Sequence, residues 1–112
     1  MDILIDQYLT ILETITPLPN TVIFPGDIRD AREYKRLKFY VKTDKASTLR
    51  IFYSNNPTFA NQTVETIAIP PGVGTFESAT VREQISKYIK AEIQNTSGVD
   101  QTYLEAIIFL QR

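Results

Sequence analysis

The fold class predicted for this chain is all-β: a single antiparallel sandwich over residues 1–112, jelly-roll-like, with about eight strands. Three observations lead there. Segments rich in Ile, Val, Thr, Tyr and Phe alternate apolar and polar residues with a period of two, as half-buried strands do. Clusters of Pro, Gly, Asn and Asp punctuate those segments about every 8–14 residues. No helical pattern separates them, so βαβ alternation and a parallel sheet are not expected. Hydrophobic residues make up 43% of the chain and charged residues 22%. That is enough apolar material for one core, and too much for a disordered polymer.

Taken in order, "QYLTILETI" opens the pattern. Leu9 and Ile11 share one face, and Tyr8, Thr10 and Leu12 the other. The segment fits a strand or a short helix; the β-branched Thr10, Ile11, Thr14 and Ile15 favour the strand. "NTVIF" reads as a short strand stopped by "PGD", and "IRDAREY" as one helical turn or a short extended piece. "RLKFYVKT" turns Leu37, Phe39 and Val41 to one side and Lys38, Tyr40 and Lys42 to the other. "DKAS" bends the chain, and "TLRIFYS" returns with Leu49, Ile51 and Tyr53 on one face. "NNPTFANQ" is a loop, because Pro57 and the Asn cluster break a ladder.

"TVETIAI" is the next strand and "PPGVG" ends it, since two prolines cannot donate to a sheet and glycine permits a tight turn. "TFESATV" follows, with "REQIS" as a connector or single helical turn. In "KYIKAEIQ", Ile89, Ala91 and Ile93 face inward. Asn95 and Gly98 are expected to make the turn, Asn95 through a left-handed conformation and Gly98 through positive φ. The two strands around that turn are expected to pair as a hairpin. In the last strand Leu104, Ala106, Ile108 and Leu110 oppose Tyr103, Ile107 and Phe109. One face enters the core, and the other needs cover from another segment or another chain.

Composition narrows the chemistry. The chain has no His and no Cys, which removes most nucleophile–base pairs, disulfides and transition-metal sites. Carboxylates remain at Asp27, Asp30, Glu65, Glu77, Glu92 and Glu105, without the signature of a hydrolytic pair. Asp27, Asp30 and Glu33, or Asn95 and Asp100, lack the spacing of a calcium loop. No enzyme activity, cofactor or metal is expected. The net charge of −1 argues against nucleic acid, whose binders carry a basic excess; "REYKRLK" reads as a solvated turn and strand start. Near-neutrality also removes one brake on self-association. No apolar run is long enough to span a membrane, and "MDILIDQYLTILETI" lacks the basic start and cleavage site of a signal peptide. "NQT" at Asn61 and "NTS" at Asn95 match the glycosylation pattern and predict exposed turns.

Several stretches resemble a recurring module of phage and virus structural proteins. They are "YKRLKFYVKTD" from Tyr34, "LRIFYSNN" from Leu49, "IPPGVGTFE" from Ile69 and "KYIKAEIQNTSGVDQTYLEAIIFL" from Lys87. Small β-sandwich domains of capsid-associated, decoration, neck, baseplate and fibre proteins are similar in this layout. The resemblance implies a non-catalytic virion component, made in the host cytoplasm and located in the virion. A minor capsid, decoration or tail-associated protein is expected, as a small stand-alone component. Its implied partners are copies of itself and other virion proteins. A carbohydrate-binding or host-attachment module is the alternative, with Tyr40 and Tyr88 as candidate glycan contacts. The candidate interface residues are Phe59, Tyr103, Ile107 and Phe109.

Overall fold

The computed structural model describes residues 8–34, 36–81 and 87–111, with side chains described outside 73–81. Those residues form two packed antiparallel sheets, an all-β sandwich. The strands are β1 (Tyr8–Thr14), β2 (Ile23–Pro25), β3 (Arg29–Asp30), β4 (Arg36–Thr43), β5 (Ser47–Ser54), β6 (Thr63–Ile69), β7 (Gly72–Val81), β8 (Tyr88–Asn95) and β9 (Leu104–Gln111). Sheet A runs β1-β9-β4-β7. Sheet B runs β2-β8-β5-β6, with the two-residue β3 also on β8. "IRDAREY" therefore resolves into a short extended piece, and "REQIS" lies outside the described residues.

The period-two pattern works as expected along β4, β5, β8 and β9. Each buries every second residue, and the inward sets meet between the sheets: Leu37, Phe39 and Val41 with Ala106, Ile108 and Leu110 from sheet A; Leu49, Ile51, Ile89 and Ile93 from sheet B. All are essentially inaccessible, and removing them from water is the main stabilising term. The outward residues of the same strands, the exposed Arg36 apart, stay half-buried, because neighbouring strands shield their flanks.

Connectivity departs from the hairpin expectation. β8 lies in sheet B and β9 in sheet A, so the strands around "NTSGVDQ" do not pair; the chain arches from one sheet to the other. β8 pairs with β5 instead, and β9 with β4 and β1. The "DKAS" bend is also an arch between sheets, and so is "PPG". Among the crossings from β4 onward, only the 55–62 loop joins two strands of one sheet, β5 and β6. An arch lets two consecutive amphipathic strands face each other across the core, whereas a hairpin would place their apolar sides on the same face of one sheet.

β1 carries a second departure. A register shift between Thr10 and Leu12 marks a bulge at Ile11. Ile11 and Leu12 are consequently both buried, and Leu12 leaves the face on which strict alternation puts it with Tyr8 and Thr10. Just beyond β2, Gly26 is wedged where sheet A and sheet B backbones converge. A Cβ there would stand 2.6 Å from the Ile11 carbonyl oxygen and 3.0 Å from that of Ala91. Gly26 N–H donates to Ala91 O at 2.8 Å and Asp27 N–H to Ile11 O at 2.8 Å, so this turn stitches β1 to β8.

Candidate functional site

Two features stand out above the core: a polar lock at one end of the sandwich and an aromatic face on sheet A. The lock is built from the segment that dominates the family resemblance. Asn95 is fully buried, not exposed as the acceptor pattern suggested, and it is not in the left-handed region. Its Nδ2 donates to Leu18 O at 2.9 Å and Val99 O at 2.7 Å. Its Oδ1 accepts from Ser97 N–H at 3.0 Å and Ser97 Oγ at 2.7 Å. Every hydrogen-bonding site of this buried amide is thus spent on backbone and hydroxyl groups of the two connections it joins. Gly98 has the expected positive φ, 92°, and Asn61 in the exposed β5–β6 loop has a φ of 56°.

Gln101 completes the lock. Its Nε2 donates to Thr43 Oγ1 at 3.1 Å and Ser47 Oγ at 2.7 Å, and its Oε1 accepts from Leu18 N–H at 2.9 Å. These bonds tie the β8–β9 arch to the β4–β5 arch and to the β1–β2 connection. On the rim, the Asp44 carboxylate accepts from Thr102 Oγ1 at 2.6 Å and from the backbone N–H groups of Thr102 and Tyr103 at 3.1 Å each. The Thr102 hydroxyl, those two amides and the Lys45 ammonium hold its pKa well below the usual carboxylate range. The "KTD" and "NTSGVDQT" segments thus fasten three connections to one another.

The second feature is the outer face of sheet A. Register places Phe109 between Thr10 of β1 and Lys38 of β4, and Ile107 between Glu13 and Tyr40. Both apolar side chains are half-buried, with Tyr8 52% exposed beside them. The Tyr8 and Phe109 ring centroids lie 5.5 Å apart. The rings meet edge to face, a favoured aromatic geometry. Tyr8, Thr10, Ile107 and Phe109 line a shallow open depression. β1 sits beside β9 in the plane of the sheet rather than over it, so it flanks this face without covering it. At the start of β9, Tyr103 is 42% exposed, its hydroxyl donating to Glu105 Oε1 at 3.0 Å and its ring 5.6 Å from the Lys42 ammonium. The Glu105 carboxylate beside it pushes the Tyr103 phenol pKa up.

Three of the four candidate interface residues, Tyr103, Ile107 and Phe109, are thus brought together on one face. Phe59 is not. It lies in the β5–β6 loop, 8% exposed, under the Lys90 ammonium at 4.6 Å, and Lys90 projects from the outer side of sheet B together with Phe52. The φ of Phe59 is 60°. That is unusual for a bulky residue, and burial of the ring offsets the strain. The candidate glycan tyrosines are likewise separated, Tyr40 pointing outward from sheet A and Tyr88 from sheet B, so they do not form one stacking platform.

The carboxylates singled out for chemistry have structural partners. Asp27 contacts Arg29 at 3.3 Å, and Glu92 contacts Arg50 at 2.7 Å. Glu105 accepts from Tyr103. Glu65, pointing inward from the edge strand β6, accepts from the Tyr53 hydroxyl at 2.8 Å; an inward charge at an edge discourages strand addition by another chain. Asp30 is ion-paired with Arg32, whose guanidinium and backbone N–H lower its pKa to about 2. The Glu77 side chain lies outside the described residues.

The sandwich, with its arches and its open sheet face, defines an all-β module of two antiparallel sheets. The chain is similar in structure to PBSX exported protein XepA, known from a crystal structure, with a TM-score of 0.70 at 15% identity. The match covers 99% of this chain and 39% of XepA, so the chain spans well under half of that protein's length. At this identity the likeness is one of fold. No protein-family model and no curated protein matches the chain.

Proposed function

We propose that this protein is a non-catalytic structural component of a phage particle, a minor capsid, decoration or tail-associated protein that works by associating with copies of itself or with other virion proteins. The observation that carries this reading is the outer face of sheet A. There the last strand leaves Ile107 and Phe109 half-buried on a face flanked, not covered, by its neighbours. An apolar group at the centre of an open sheet face is a surface that association with another chain would take out of water. Two further lines support it. XepA, the structural neighbour, is an exported protein of the phage PBSX. Counting β2 and β3 as one interrupted strand, sheet orders 1-8-3-6 and 2-7-4-5 favour reading the sandwich as a jelly roll, an architecture frequent in capsid proteins.

The decisive experiment is mass spectrometry of intact particles purified by density gradient from a host that produces this chain. Recovery in stoichiometric amount relative to a known capsid protein is expected. Consistent absence from purified particles overturns the proposal.

A further inference from the structure

The outer face of sheet A has a charge pattern as well as an apolar centre. On β4 the outward residues are Arg36, Lys38, Tyr40 and Lys42, three cations in one row. On β1, across β9, they are Tyr8, Thr10 and Glu13. The middle strand supplies Phe109 and Ile107, set between Gln111 and Glu105. The face is therefore basic along one flank, apolar at the middle of its central strand, and acidic at Glu13 on the other flank and at Glu105, which lies beside Lys42 in register. Glu13, Arg36 and Lys38 enter no salt bridge among the described residues.

We propose that the occupant of this face is a second copy of the same chain, packed sheet against sheet about a two-fold axis parallel to β9. This rests on the association reading above and specifies its partner and geometry. Rotation about that axis exchanges the flanks, so β4 of one copy lies over β1 of the other. Position along the strand is preserved. Glu13 is level with Ile107 and Tyr40, so it meets the partner between Lys38 and Lys42. Tyr8 is level with Gln111 and Arg36, which brings its ring to the partner's guanidinium. Phe109 and Ile107 lie near the axis and pack on their own counterparts, and the two Glu105 carboxylates approach each other at one end, each beside its own Lys42. An isologous contact requires this kind of self-complementarity. Rotation about an axis perpendicular to β9 within the interface would put the cationic flanks together.

The face is small. Strands about 4.8 Å apart and eight residues long at about 3.3 Å per residue give β1, β9 and β4, the three strands that overlap about this axis, a plan area on the order of 400 Å². Two such faces bury on the order of 800 Å², below the roughly 1,200 Å² of a standard specific interface. The dimer is accordingly weak and transient, with a Kd roughly in the range of a hundred micromolar, and salt-sensitive at its charged flanks.

Sedimentation velocity from about 1 to several hundred micromolar tests this with charge swaps at exposed positions, which leave the fold intact. The wild type is expected to shift from monomer to dimer across that range. Glu13→Lys alone and the Lys38→Glu, Lys42→Glu pair are each expected to weaken self-association about tenfold or more, because each homodimer then holds two repulsive flanks. Mixed together, the two variants restore both attractive flanks and are expected to form a heterodimer at least as tight as the wild type. A Phe109→Glu chain is expected to remain monomeric with unchanged circular dichroism. A photo-crosslinker at position 109 should join two chains. A wild type monomeric throughout, failure of the mixed variants to pair, or crosslinks running only within one chain or only to a different virion protein each overturn the dimer. A chain that is abundant in particles but monomeric refutes this interface alone; a chain that dimerises but is absent from particles refutes the virion role alone.

Discussion

Replacing Asn95 with alanine tests the central physical claim, that one buried amide holds the two sheets in their arched connection. The side chain makes four hydrogen bonds, to Leu18 O, Val99 O, Ser97 N–H and Ser97 Oγ. Two of the partners have another donor: Leu18 O also accepts from Gln101 N–H, and Val99 O can take the single Ser97 hydroxyl proton once Asn95 Oδ1 no longer holds it. Ser97 N–H has no such reserve. With a net value of about 1 kcal/mol for each lost bond, reduced where a partner is retained, and about 1 kcal/mol more for the partly buried Ser97 N–H left unpaired, the expected loss is about 3 kcal/mol. That is a large part of the roughly 5–15 kcal/mol available to a domain of this size, yet it leaves a folded protein. Unfolding in urea can be followed by far-ultraviolet circular dichroism, or by tyrosine fluorescence since the chain has no Trp. The midpoint should fall by about 2 M with unchanged slope. Asn95→Asp sharpens the test. A carboxylate accepts from Ser97 but cannot donate to two carbonyl oxygens, so burial favours its neutral form and raises its folded pKa above the unfolded value. Its penalty is therefore smallest below about pH 4 and grows as pH rises, by up to about 1.4 kcal/mol per unit until the folded pKa is reached. An alanine variant within about 0.5 kcal/mol of the wild type would refute the lock.

Three further outcomes follow from the same geometry. Asp44 has a depressed folded pKa, so its contribution is complete above about pH 4 and is lost as pH falls below that; Asp44→Asn should flatten the acid limb of a stability–pH profile measured by thermal melting. Ile108 sits at the centre of the core and its neighbour Ile107 on the outer face. Ile108→Ala should cost about 3–4 kcal/mol in chemical denaturation, whereas Ile107→Ala should cost about 1 kcal/mol or less. Gly26→Ala forces a Cβ against two backbone oxygens and should destabilise by about 2–4 kcal/mol. Gly98 has open space around it but a φ of +92°. Gly98→Ala should therefore cost about 1 to about 2 kcal/mol, and differential scanning calorimetry will rank the two glycine variants.

The candidate face was legible in part. Tyr103, Ile107 and Phe109 can be placed together because every second residue of a strand shares a side, a local rule that needs no partner. Their neighbours Tyr8, Glu13 and Lys38 cannot be assigned that way, because they come from strands remote in sequence whose register is set by ladder pairing. Phe59 misleads for a similar reason: an aromatic in a loop looks displayed until the fold supplies a surface for it, here the Lys90 side of sheet B. Asn95 has the features of a turn residue in the sequence, and its burial follows only once β8 and β9 part to opposite sheets.

Alternation along β4, β5, β8 and β9 is sufficient to define the strands, their buried faces and the sandwich class, because burial of a half-apolar strand is decided by its own residue pattern. Strand partnership is carried by backbone N–H and C=O groups common to nearly all residues, so side-chain sequence scarcely encodes it. Only the packed structure decides that β8 and β9 belong to opposite sheets, that a bulge turns Leu12 inward and that one asparagine and one glutamine secure three connections. Each of these depends on groups far apart in the chain that meet only once the two sheets have closed on their core.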